Sequence, residues 1–218
     1  DLIYGLPQSN VSSWAHNLEV LISFKPPHIS SYALTVEPKT LLSYQIEEGE
    51  VKLLDEETVK FQYDLLTSRL EKESYINYEF SNFGKFGFHS VNNSNYWSGK
   101  PYLGIGPSAH SFNGQRLRSW NISNNLKYLK SIEKGYLPQT KEFLKDHEIF
   151  NEYVMIGLRT NGVKIRGVNE SLGSNYAEFL EKQVKKHLLS RSLFWDGDVL
   201  KVSRHARFLT DGIASDLF

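Results

Sequence analysis

The run Tyr102-Leu-Gly104-Ile-Gly106-Pro-Ser-Ala-His110-Ser111 pairs two glycines with a histidine. Glycines two apart after an apolar residue allow close backbone approach, to a ligand or to a neighbouring strand in a tight strand-exit turn. The spacing is neither that of a dinucleotide fingerprint nor that of a P-loop. Shortly before it, Asn92-Asn93-Ser94-Asn95-Tyr96-Trp97 mixes amides with large rings. Such a cluster can line a pocket for a flat ligand by stacking, or pack as a loop. His89, three residues upstream, is a structural hydrogen-bonded histidine or a ligand. Asp1 heads an apolar, strand-like run, where a carboxylate must be exposed or bonded to a polar partner. Glu152 and Arg159 stand two helical turns apart and suit an ion pair or a cap. The seven histidines form no HExxH and no other metal-spaced group, and no Ser/His/Asp order stands out.

These residues need elements to carry them. Asp1–Pro7 reads as a buried strand stopped by Gly5 and Pro7. Trp14, Leu18, Leu21 and Ile22 then mark one face of a helix that Ser12 or Ser13 caps and Pro26-Pro27 ends. His28–Val36 is the next strand, so the chain opens strand–helix–strand, a unit that gives a parallel pair with a right-handed crossover. A second helix spans 55–73, with Val59, Tyr63, Leu66 and Leu70 on one face and acidic residues in its first turn, where the helix dipole favours them. Residues 75–80 read as a short strand. Over 81–124 the chain holds 7 Asn and 6 Gly among large aromatics, which suggests long structured loops. Helices follow at 123–134 and 146–160. The last third gives a helix through Tyr176, Phe179, Leu180, Val184 and Leu188. An Asp196-Gly197-Asp198 hairpin and a closing helix with Leu209, Ile213 and Leu217 complete it, in a winged-helix-like order.

Composition bounds the chemistry. The 218 residues carry 25 Lys+Arg against 25 Asp+Glu and no cysteine. Zero net charge argues against bulk electrostatic binding to nucleic acid, and residues 151–218, with 10 basic and 8 acidic side chains, do not reverse it. Without cysteine this chain builds no disulfide, thiolate metal site or cysteine-ligated cluster. No apolar run approaches the ~18–20 residues that span a bilayer, and no secretory signal opens the chain. A start without Met inside a strand-like pattern suggests part of a longer protein.

Five segments, in order, carry a family resemblance: 1–7, 28–38, 78–83, 102–111 and 151–159. They resemble the HemW-type heme chaperones, relatives of oxygen-independent coproporphyrinogen III oxidase in the radical SAM superfamily. The resemblance implies an α/β fold, the second part of a partial (β/α) barrel over 1–122 followed by a helical, winged-helix-like domain over 123–218. It implies S-adenosyl-L-methionine (SAM), heme, and a 4Fe–4S cluster whose CxxxCxxC ligands lie outside this chain, so the chain alone is expected to be inactive. It implies SAM contacts at Asp1, Thr35 and His110, and no metal ligand within the chain. The family's HNxxYW motif, linked to heme, is matched by Asn92, Asn93, Tyr96 and Trp97. Asn92 replaces histidine, and an amide is a poor axial ligand where imidazole is a good one. His89 then substitutes, or stacking and propionate contacts hold heme, or binding is weaker. The run after Pro7, Gln8-Ser9-Asn10, also lacks the family's usual Gly-Gln. The implied partners are heme and a heme-accepting protein, in the cytoplasm, with no nucleic acid. The alternative is oxidative decarboxylation of coproporphyrinogen III.

Overall fold

The computed structural model describes residues 1–218 and divides them into two compact units. The first comprises 1–90, 159–161 and 205–209. Its elements are β1 (Leu2–Tyr4), α1 (Val11–Ser23), β2 (His28–Ala33), α2 (Leu41–Glu47), α3 (Glu56–Lys72), β3 (Ile76–Glu79) and β4 (Asn82–Gly84). β1 and β2 are parallel, as the strand–helix–strand pattern requires, with Leu2 opposite Ser31 and Tyr4 opposite Ala33. The sheet order is β1-β2-β4-β3, and the two added pairings are antiparallel.

The apolar stripes meet on one face of this sheet. Trp14 and Leu18 of α1 and Tyr63, Leu66 and Leu70 of α3 pack with Tyr4, Ile29 and Phe83 of the strands. Two polar side chains brace the packing. The Trp14 indole N–H donates to the Gln62 carbonyl at 2.8 Å. Gln62 is fully buried, accepts the Gly5 N–H through Oε1 at 2.8 Å and donates through Nε2 to Ser9 Oγ at 3.2 Å. The turn that leaves β1 is thereby tied to α3. The cap of α1 is Asn10, which accepts from the Ser13 N–H while Ser13 Oγ accepts from the Asn10 N–H. This reciprocal box corrects the expected Ser12 or Ser13 cap: Ser13 is the third helical residue and completes the box from inside. Asp55 caps α3, and its bonds to the Thr58 N–H and hydroxyl hold its carboxyl below the usual value.

The second unit comprises 91–158, 162–204 and 210–218. It begins with α4 (Val91–Trp97), β5 (His110–Phe112), β6 (Leu117–Asn121), α5 (Asn125–Glu133), β7 (Gln139–Phe143) and α6 (Asp146–Arg159). β5, β6 and β7 form an antiparallel sheet in that order. The expectation of loops through residue 124 is therefore wrong there. The strands are short and carry polar residues on both faces, so they show no period-2 pattern. Asn113 builds the β5–β6 turn by accepting from the N–H groups of Gln115, Arg116 and Leu117.

The remaining elements are β8 (Val163–Lys164), α7 (Ile165–Leu172), α8 (Ser174–Gln183), α9 (Lys185–Leu189), β9 (Leu193–Asp196) and β10 (Val199–Val202). A 3₁₀ turn (Arg204–Leu209) and α10 (Thr210–Ser215) close the chain. The Asp-Gly hairpin forms, and β8 adds a third strand in the order β8-β10-β9. The helix read through 176–188 is broken at Val184 into α8 and α9, and the closing helix begins as the 3₁₀ turn. Phe150, Val154, Val168, Leu180, Leu200 and Leu217 are buried among these elements. No helix is long and apolar enough to cross a membrane.

Candidate functional site

The first unit collects buried polar groups along its sheet. Successive strand residues point to opposite faces, so Ile29 joins the core and His28 and Ser30 face away from it. Ser30 Oγ donates to Asn82 Oδ1 at 2.5 Å, and Asn82 Nδ2 donates to Glu79 Oε1, which also accepts from the Ser81 N–H at 3.0 Å. Glu79 and Asn82 are almost fully buried. Beside this chain, His28 Nε2 meets the Tyr78 hydroxyl at 2.7 Å, and the Ser90 N–H donates to the same hydroxyl at 3.3 Å. His89 stacks on Tyr78, ring centroids 4.4 Å apart. Gly84 makes room for it, because a Cβ there would stand 3.0 Å from His89 Cδ2. Burial lowers the His28 pKa below 6.5, the nearby His89 adds to the shift, and Glu79 opposes it. His89 Nε2 is itself buried and has no hydrogen-bond partner.

Asp1 and Thr35 belong to the same unit. Asp1 immediately precedes β1 and is exposed, while Thr35 lies two residues beyond β2 and is also exposed. Asp1 precedes and Thr35 follows the parallel pairing of Leu2–Tyr4 with Ser31–Ala33, so they fall at opposite ends of it. The sheet does not bring their side chains together.

The second unit holds an open cavity of about 530 Å³, lined by residues of β5–β7 and their connections. His110, Trp120 and Thr140 line it from opposed positions on the three strands. Ile122, Tyr136 and Pro138 add apolar wall, and Ser108, Ser123, Asn121 and Gln139 supply hydroxyls and amides. The His110 ring stacks on Trp120, centroids 5.9 Å apart. The glycine run is explained by this strand. A Cβ on Gly104 would run into the His110 carbonyl oxygen, and the Gly104 N–H donates to Ser111 Oγ at 2.9 Å. Asn121 Nδ2 then donates to the Gly106 carbonyl at 2.9 Å and pins the loop to β6. Gly104 thus serves the strand-exit turn, and the turn presents His110 to the cavity.

The segment Asn92–Trp97 forms α4. Asn92 is exposed, Asn93 and Trp97 are half-buried, and Tyr96 packs edge-on against Tyr102 at 4.6 Å. Glu152 forms an ion pair with Arg118 of β6, and Arg159 lies over the Phe80 ring at 5.9 Å. Gln62, Glu79, Asn82 and Trp120 escaped the sequence reading of the sites. Gln62 sits at helical spacing between Val59 and Leu66, a polar residue on an apolar stripe, and that was the available signal.

No group of three or more His, Cys, Asp or Glu side chains is placed to hold a metal. With no cysteine either, the chain's residues do not fit a 4Fe–4S cluster.

Comparison with known proteins defines the class. The fold matches, with a TM-score of 0.76 over the whole chain and 54% of the other, that of coproporphyrinogen III oxidase (HemN) from Escherichia coli, a radical SAM enzyme, at 17% identity. The chain is therefore an α/β portion of a radical SAM fold. Within that superfamily it is a relative of the HemW heme chaperones. It is 31% identical to that of Bacillus subtilis over 91% of this chain and 52% of the relative. It is 28% identical to that of Mycobacterium tuberculosis over 100% of this chain and 54% of the relative. The chain spans about half the length of these relatives, and no family model matches it.

Proposed function

We propose that this chain is part of a cytoplasmic radical SAM protein of the HemW kind, which binds heme and passes it to an acceptor protein. The observation that carries the reading is the similarity to named heme chaperones along essentially the whole chain. Residues 1–122 are read as barrel and 123–218 as the helical domain. SAM and a cluster held by residues outside this chain supply one-electron chemistry when bound. Asp1, Thr35 and His110 are read as contacts of this chain to SAM. His89, Asn92, Asn93, Tyr96 and Trp97 are read as contacts to heme, by stacking and by amide hydrogen bonds.

The second reading, oxidative decarboxylation of coproporphyrinogen III, is favoured by one feature: Asn92 stands where a chaperone carries histidine. The test sets the two side by side with the intact parent protein, its cluster reconstituted under anaerobic conditions. Transfer of bound heme to an apo-hemoprotein without decarboxylated product supports the chaperone. Decarboxylation without heme binding overturns it.

A further inference from the structure

We propose that the outer face of α5 is where this protein docks its heme acceptor, and that the acceptor meets it with an apolar groove rimmed by carboxylates. The inference rests on the heme-transfer reading above and names the surface and the partner chemistry that reading lacks. Three observations carry it.

The first is that α5 is held from its ends and not by the core. None of its residues is fully buried. Asn124 caps it by accepting from the Lys127 N–H at 3.0 Å. At the other end Gly135 takes a φ of 72°, so its N–H reaches the Ile132 carbonyl and the Tyr136 N–H reaches the Ser131 carbonyl, both at 2.9 Å. A helix closed at both ends is formed before anything covers it, so docking on it costs little ordering entropy.

The second is the pattern of its surface. Tyr128 and Ser131 are half-buried and mark the side toward the fold. At about 100° per residue, Leu126, Leu129 and Ile132 line one stripe away from that side, and Lys127, Lys130 and Lys134 line the next. Leu126 and Leu129 are 69% and 56% exposed, and Tyr136, just past the helix, is 64% exposed. Apolar side chains three apart on a preformed helix are anchors for a groove.

The third is the charge beside those anchors. Several exposed cations of this unit are matched: Arg116 with Asp146, Lys186 with Asp216 and Lys201 with Asp196. Lys127, Lys130 and Lys134 are exposed and form no ion pair, and Glu133 is the one acid on the helix. A chain without net charge thus keeps an unpaired basic stripe next to an apolar one, which complements carboxylates around an apolar groove. An anionic lipid surface has the same charge, but α5 is nine residues long and carries no Trp or Phe, too little apolar body to seat in a bilayer interface.

The experiment follows heme transfer from the intact, hemin-loaded parent protein to two forms of one designed apo-hemoprotein. The forms carry carboxylates or lysines around an apolar heme cleft. The native protein should transfer to the carboxylate form about tenfold faster, and salt of roughly 0.5 M should remove the preference. Lys127→Glu/Lys130→Glu/Lys134→Glu should reverse the preference, and the milder change of the same three to Gln should abolish it. Leu126→Ser/Leu129→Ser should slow transfer to both forms about tenfold. Hemin affinity should be native in each variant. Native rates and preference in these variants overturn the inference and leave the heme-transfer reading intact. So does protection of the three lysines from acylation in the parent alone, which would mean that the rest of the parent covers α5. So does α5-dependent binding to phosphatidylglycerol vesicles with no preference between the acceptors. A parent that binds no hemin, or releases none to either form, overturns both.

Discussion

The polar face in the first unit and the cavity in the second are built from similar side chains and arranged for opposite ends. Around Glu79, Asn82 and Ser30 the polar groups bond to one another, the few left over (Ser31 Oγ, Asn77 Oδ1 and His89 Nε2) are sealed from solvent, and His89 is stacked on Tyr78. Around His110 the ring nitrogens have no partner and the walls stand open. The first pattern spends its polar groups on holding strands together, while the second keeps them for something that arrives. Unpaired polarity at an accessible cavity is therefore a better pointer to binding here than density of polar residues.

This contrast can be broken by substitution. The largest effect is expected in the core beneath the closed face. Leu18→Ala should cost about 2–5 kcal/mol in denaturant unfolding, and a smaller loss would show that α1 is not the base of that sheet. Next come the bonded polar groups. Gln62→Leu and Asn82→Ala should each cost about 1–3 kcal/mol, because buried partners are left unsatisfied, with little change in hemin affinity. A loss of hemin affinity at unchanged stability would mean the closed face is the binding site after all.

His110→Ala should do the reverse, with unfolding stability changed within about 0.5 kcal/mol, as for an exposed site, and SAM binding to the intact parent protein weakened. Smallest is Tyr63→Phe. That hydroxyl is buried without a partner, and burial pushes its pKa to about 12. Its removal should leave stability unchanged or raise it by up to about 1 kcal/mol.

Protonation gives an independent check. The folded-state pKa of His28 lies below its ordinary 6.5, so the folded state binds fewer protons than the unfolded chain. Stability should then fall as the pH drops below about 6.5. His28→Gln should flatten that part of the profile. An unchanged profile would show that the fall originates elsewhere.

The sequence made one half of this legible and concealed the other. α1 and α3 are long and carry apolar residues at 3.6-residue spacing, and the Asp-Gly hairpin announces itself by its turn. The β5–β7 sheet does neither. Gln139-Thr-Lys-Glu-Phe143 has no apolar alternation, and its pairing to Leu117–Asn121 is set across the intervening α5. His110 was therefore visible as a motif residue, while Trp120 and Pro138, which make its surroundings a cavity, were not visible as its neighbours. Likewise Glu79 and Asn82 lie within the segment 78–83, but only the antiparallel register of β4 between β2 and β3 shows that they bond to each other.

The measurement that tests the account most directly is the stoichiometry of hemin binding to the intact parent protein. The account predicts a saturable absorption change with about one hemin per chain. Non-saturable binding, or none, with coproporphyrinogen III decarboxylated instead, would contradict it.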